Sequence, residues 1–246
     1  MIKFFRKIRQ NLVMENKTSK YFKYAIGEIV LVVIGILIAL QINNWNQERL
    51  QQQSELKFLK GIQAEFKLNK DYLINSIKMN QEGLKTGKEI MNLMNQDVEI
   101  LKRINIDSLL FQIFEYGGFE ISENTILEVM QVGQLQNLEN DQLKSFILEW
   151  SQQKIKIDRN RITLTEKSDY LVRYLMTRYP LKNIDKYGVL AWKNPSTIEV
   201  DKYAIFTDLE FENIIDDLLY NLTSFNNRII AILEVIDGIL KNSIIK

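Results

Sequence analysis

The chain has no cysteine and no histidine, and only two prolines in 246 residues. Without Cys there is no disulfide and no thiolate chemistry. Without His there is no haem ligand, no usual zinc site and no imidazole to serve as general acid or base. Pro180 and Pro195 lie close together, so elsewhere no proline interrupts a long helix. Net charge is nearly absent too: 32 Lys and Arg face 31 Asp and Glu. That balance excludes a globally basic nucleic-acid binder. What the chain does hold is apolar residues, 46% of the total, enough to offset the entropy of ordering a folded domain.

The charge balance hides a basic head. Lys3, Arg6, Lys7, Arg9, Lys17, Lys20 and Lys23 precede a stretch from Tyr24 to Ile42 whose one charge is Glu28, and Ile29 to Leu40 is wholly apolar or Gly. Nineteen residues rising about 1.5 Å each span about 28 Å, close to the ~30 Å hydrocarbon layer. Tyr21, Phe22 and Tyr24 at one end and Trp45 at the other suit interfacial aromatic belts. A cleaved signal peptide would need small residues at its processing site, but Ala39 has Leu37 two positions before it. A buried core helix would be amphipathic. The stretch therefore reads as an uncleaved transmembrane anchor. The positive-inside rule puts its N-terminus in the cytoplasm. Within residues 1–13, Ile2, Phe5, Ile8 and Leu12 share one helical face among basic residues. This segment is either a short helix lying on an anionic leaflet or a topogenic charge cluster without fixed structure.

Residues 14–46, from Met14 through Tyr21-Phe22 and the apolar run to Asn43-Asn44-Trp45-Asn46, resemble an uncharacterised domain-of-unknown-function family. Its members are small, single-pass, membrane-anchored proteins common in Bacteroidota. Residues 125–143, from Thr125 through Gly133 to Leu143, are similar to that family's central motif. The resemblance implies a bacterial inner-membrane location and carries over no catalytic residue.

Beyond Trp45 the apolar spacing is helical. Leu59, Ile62, Phe66, Leu73, Ile77, Leu84, Met91 and Met94 mark a first long helix. A short helix over 107–116 should stop at Gly117-Gly118, and Thr125 with Glu128 forms a capping box for another that ends near Gly133. Asn140 can cap a helix to Tyr179 whose buried stripe is Ile147, Trp150, Ile157, Leu164, Leu171 and Leu175. Thr207 with Glu210 is a second capping box, before a last helix carrying Leu218, Leu222, Phe225, Ile229, Leu233, Ile236 and Leu240. Residues 180–206 hold both prolines and read as irregular, with at most a minor hairpin at 198–206. The expected fold is all-α: a basic cytoplasmic segment (1–23), a transmembrane helix (24–42) and a periplasmic bundle (43–246) of three long helices, up, down and up, with short helices at the distal turn. That path puts the 180–206 loop at the membrane-proximal end.

No chemistry stands out. Gly83-Leu-Lys-Thr-Gly-Lys88 lacks the spacing and the Ser or Thr of a phosphate-binding loop, so neither nucleotide nor nucleic acid is expected. The pairs Asp216 with Asp217, Glu234 with Asp237 and Glu210 with Glu212 read as solvated helix faces, with no metal and no cofactor. Glu28 is the one ionisable group inside the span: it either snorkels to the interface or meets a cation on a partner span. Gly35 and Ala39, with Gly27 two turns earlier, form a small-residue face for helix packing. Lys154 and Arg161 flank the buried stripe, either as its edge or for a carboxylate or anion. The 180–206 loop gathers Tyr187, Trp192 and Tyr203 among Lys182, Lys186, Lys193 and Lys202, fit for a lipid surface, a partner's acidic face or a cap on the bundle. The expected function is non-enzymatic: a membrane-bound interaction or scaffold module for a protein partner or a second copy. The alternative is a ligand-binding sensor or regulatory subunit.

Overall fold

The structure, a computed structural model, describes residues 18–118, 121–131 and 133–245. The amphipathic reading of residues 1–13 and most of the basic segment fall outside them. Among the described residues there are seven α-helices and no strand. The helices are α1 (Thr18–Asn92), α2 (Val98–Leu101), α3 (Ile106–Gln112), α4 (Asn124–Gln131), α5 (Asp141–Leu175), α6 (Leu181–Asp185) and α7 (Leu209–Asn242). Two compact units divide within α1, between Lys57 and Phe58.

In the first unit the described chain is helical throughout. Its most apolar 18 residues average a hydropathy of 2.6 and none is buried. Leu31, Val32, Ile36, Leu37 and Leu40 each expose half of their surface or more. In water such a sleeve would be untenable. It is the one helix among the described residues long and apolar enough to cross a membrane.

The second unit starts where α1 turns amphipathic. Phe58, Ile62, Phe66, Leu73 and Ile90 are buried along its inner face. α1 ends at Asn92, and Asn95, in the left-handed region at φ 55, turns the chain while its amide donates to the Phe206 carbonyl at 2.7 Å. Residues 98–118, 121–131 and 133–137 then run back beside α1 as a strap of short helices and turns. Polar side chains of α1 hold it: Asn80 accepts from the Gly117 amide at 2.9 Å, Ser76 donates to the Gly117 carbonyl at 2.6 Å, and Asn69 bonds both the amide and the carbonyl of Ser122. A Cβ on Gly117 would lie 2.5 Å from the Ser76 Cα, so only glycine allows this approach. The Asn124 and Thr125 amides donate to Glu65 at 2.7 and 3.0 Å. The start of α4 is thus capped by a carboxylate from α1, and Thr125 lies inside the first turn rather than capping it. Gly133, at φ 68, follows the end of α4.

Asn140 caps α5 as its sequence suggests, accepting from the Leu143 amide, and its own amide group reaches the Asn242 carbonyl at the end of α7. Gln63 of α1 donates to Leu240 and Ser243 at this same end. The second half of α1 and all of α5 therefore run in one direction and α7 returns along α5, joined by Lys167–Asp217 and Asn160–Ser224. This corrects the expected path. The strap itself makes the descent, so the 180–206 loop lies at the end of this unit marked by Asn95 and Asp107, opposite Phe58 and Gln63. Trp150 packs edge-on to Phe66 with ring centroids 4.7 Å apart in the core, and beneath the loop Phe211 stacks on Tyr174 and meets Phe206 edge-on.

Candidate functional site

The loop end of the second unit is built on a nearly buried acid. Asp107, at the start of α3, has only 11% of its side chain exposed. Tyr179, just past α5, donates its phenolic hydrogen to Oδ1 at 2.5 Å. Lys186 Nζ lies 3.5 Å from Oδ2, and Lys202 Nζ lies 3.6 Å from Oδ1. One carboxylate thus ties both ends of the 180–206 loop to α3. Burial first, then the bond to Asp107 and its charge, push the Tyr179 phenol well above its usual range. Lys186 is raised as well: burial opposes this, and Tyr187 and Asp107 outweigh it.

The three aromatic residues singled out in the sequence divide on this base. Tyr203 is half-buried against the core, with Lys202 5.4 Å above its ring. Tyr187 accepts from Asn105 Nδ2 at 2.6 Å and sits 6.1 Å from the Phe111 ring. Tyr203 belongs to a cap on the bundle, and Tyr187, 37% exposed, is held at its rim by these two contacts. Trp192 is 46% exposed, with Lys182 5.5 Å from its ring. Around it the tip of the loop exposes Val189 fully, Ile198 by 74%, Leu190 by 60% and Val200 by 44%. Ala191 holds this tip in the left-handed region at φ 43, a cost of about 1–2 kcal/mol for a residue with a Cβ. The Ser196 amide anchors it to Asn183 at 2.8 Å. Asp107 and Tyr179 were not legible as partners, since they lie 72 positions apart. The signal for Val189, Leu190, Ile198 and Val200 was present: aliphatic residues in a segment with no helical period.

Beside this cap, Arg178 lies 3.6 Å from Asp208 and 3.1 Å from Glu210, and Tyr174 and Tyr170 donate to the same two acids. An open groove runs along Lys167, Tyr170, Leu209, Glu210, Asn213, Ile214 and Asp217. Its charges are already spent, Lys167 on Asp217 and Glu210 on Tyr170 and Arg178. Lys154 reaches Glu123 at 3.4 Å and Asp158 at 3.0 Å, and Arg161 lies 3.9 Å from Asp158. The carboxylates beside the apolar stripe thus come from the chain itself, and Lys154 ties α5 to the start of α4.

Glu28, Gly35 and Ala39 all lie on α1 in the first unit. Glu28 is half-buried, Ala39 is exposed, and a Cβ on Gly35 would meet nothing within 4 Å. The structure does not bring these residues near a second helix within that unit.

Fold and surface together define a protein that is all-helical among the described residues, with one helix there long and apolar enough to cross a membrane and a compact unit from Phe58 onward that carries an exposed apolar loop. The model of a family of unknown function (DUF6090) matches residues 28–125. The chain is similar to that family over less than half its length, from Glu28 in the apolar helix to Thr125, whose amide Glu65 receives. The match covers most of α1 and the strap, and stops where the second resembling stretch begins. No curated protein and no solved structure matches the chain.

Proposed function

We propose that the chain is a non-enzymatic, membrane-anchored interaction module. In this reading residues 24–42 hold it in a bacterial inner membrane with the N-terminus in the cytoplasm, and the unit from Phe58 onward meets a protein partner in the periplasm through the tip of its loop. The observation that carries the reading is the contrast within that loop. Its base is fixed by Asp107, while Val189, Leu190, Trp192, Ile198 and Val200 face outward. Apolar side chains held outward on a fixed base are what a protein interface uses as anchors. The sensor reading has less support, because the open groove beside α7 has its charges paired with one another.

A photo-crosslinking residue at Val189, compared with one at Tyr220 on the exposed side of α7, tests this in cells. The reading expects a discrete adduct from position 189 and none from 220. Trp192→Ser with Ile198→Ser should abolish that adduct and leave the melting temperature unchanged. Equal adducts at both positions, or an adduct insensitive to the loop changes, would contradict it. Tyr187→Ala, by contrast, should lower the melting temperature, because that side chain bonds Asn105 and lies against Phe111.

A further inference from the structure

Three of the described residues have a left-handed backbone: Asn95 at φ 55, Gly133 at φ 68 and Ala191 at φ 43. Asn and Gly take this conformation most readily. Ala191 has neither advantage, because its Cβ is pushed toward the following carbonyl oxygen. It stands in the tip of the 180–206 loop, exposed itself and flanked by the exposed Val189, Leu190 and Trp192.

The backbone is held on both sides of it. The Ala191 amide donates to the Gly188 carbonyl at 3.1 Å, and Gly188 lies so near Phe111 that a Cβ there would stand 3.0 Å from the ring. On the other side Lys182 lies 5.5 Å from the Trp192 ring, and Asn183 accepts from the Ser196 amide at 2.8 Å. These contacts explain how the chain keeps Ala191 left-handed, since a strained residue persists where its surroundings over-determine it. They do not explain why the residue is alanine. Glycine would make the same turn without the strain. What alanine adds over glycine is a methyl group at an exposed position, and it completes the unbroken exposed apolar run Val189-Leu190-Ala191-Trp192. Strain that the packing of the chain does not repay is found at ligand clamps. We propose that the Ala191 methyl, presented by the left-handed backbone, is a specificity-determining contact with an apolar pocket of the protein partner. This rests on the loop tip being the docking surface.

Stability and docking should then move in opposite directions. Docking is read in cells as the adduct from a photo-crosslinking residue at Val189, and stability as melting of the full-length chain in detergent. Ala191→Gly relieves the strain and deletes the methyl. Its melting temperature should rise by about 1–3 °C, a rise moderated by the looser unfolded chain that glycine brings. Its adduct should fall by up to about fourfold, the worth of one buried carbon. Ala191→Asn also suits the left-handed backbone but carries a polar side chain, and should shift both readings the same way. Ala191→Pro fixes φ near −65° and should abolish the adduct. A Gly variant that melts higher yet keeps the full adduct would show that the methyl meets no partner, and would overturn the proposal. A Gly variant that melts no higher than wild type would overturn it by removing the strain, and an adduct that survives Ala191→Pro would overturn the need for a left-handed backbone. In each of these cases the loop reading stands. A wild-type chain that gives no adduct from position 189 contradicts the loop reading itself, and this proposal with it.

Discussion

Tyr179 donates its phenolic hydrogen to Asp107 at 2.5 Å, joining the end of the second long helix to the start of a short one 72 positions earlier. The same carboxylate receives Lys186 and Lys202, so the loop between them is fastened at both ends to one acid. Loss of the phenol leaves that acid one donor short in a nearly buried place. Tyr179→Phe should therefore cost about 1–3 kcal/mol, read as a lower midpoint in denaturant. The pH dependence has a definite sign. Burial, then the bond to Asp107, raise this phenol above its usual 10.0, so the folded chain keeps a proton that the unfolded chain releases. Its contribution is complete below about pH 10 and is lost as pH rises further. Tyr174 is raised the same way, by burial and then by Asp208. The wild-type melting temperature should fall above pH 10, and that alkaline limb should be shallower in Tyr179→Phe. An identical limb in the variant would remove Tyr179 from this role.

Asp208 governs the acid side. Its pKa is lowered first by the Tyr174 hydrogen bond and then by the Glu210 amide, with Arg178 adding its charge and burial opposing. A carboxylate depressed by folding stabilises the fold above its unfolded pKa of about 3.9, and this support is lost as pH falls through the lower folded value. Asp208 is also the N-cap of α7, bonding the Glu210 amide at 2.8 Å. Asp208→Asn keeps a capping side chain and removes the charge, so melting curves should show a flatter loss below pH 4 than wild type. Asp208→Ala removes the cap as well and should cost about 1 kcal/mol at neutral pH.

The strap depends on polar side chains of α1 that a helical apolar pattern does not reveal. Glu65→Ala frees the Asn124 and Thr125 amides and should cost about 1–2 kcal/mol, with faster hydrogen exchange at those two amides. Gly117→Ala drives a methyl into the backbone of Ser76 and should cost about 1–3 kcal/mol. Unchanged stability in both variants would mean that the strap is not held where it is described.

These particulars show what a sequence discloses. Asn140 and Gly133 were readable because a cap and a left-handed residue act on their own neighbours. The buried stripe of α5 was readable because Ile147, Trp150, Ile157, Leu164 and Leu171 share one helical face, and all are buried. The path of the chain was not. Gly117-Gly118 looks like a helix terminator, yet Gly117 is needed for approach to Ser76, 41 positions away. Thr125 with Glu128 looks like a self-contained cap, yet the capping carboxylate comes from Glu65. The helix expected to run to Tyr179 ends at Leu175, and the following turn brings Tyr179 onto Asp107. Leu148, Ile155 and Ile162 share the helix with that stripe and face outward.

The proposed function requires that the apolar helix cross a membrane, with the basic segment on one side and the unit from Phe58 onward on the other. The most direct measurement is a reporter enzyme, active only outside the cytoplasm, fused after Lys246 in one strain and before Met1 in another. The seven basic residues ahead of Tyr24 predict an active C-terminal fusion and an inactive N-terminal one. An inactive C-terminal fusion with an active N-terminal one would contradict the account.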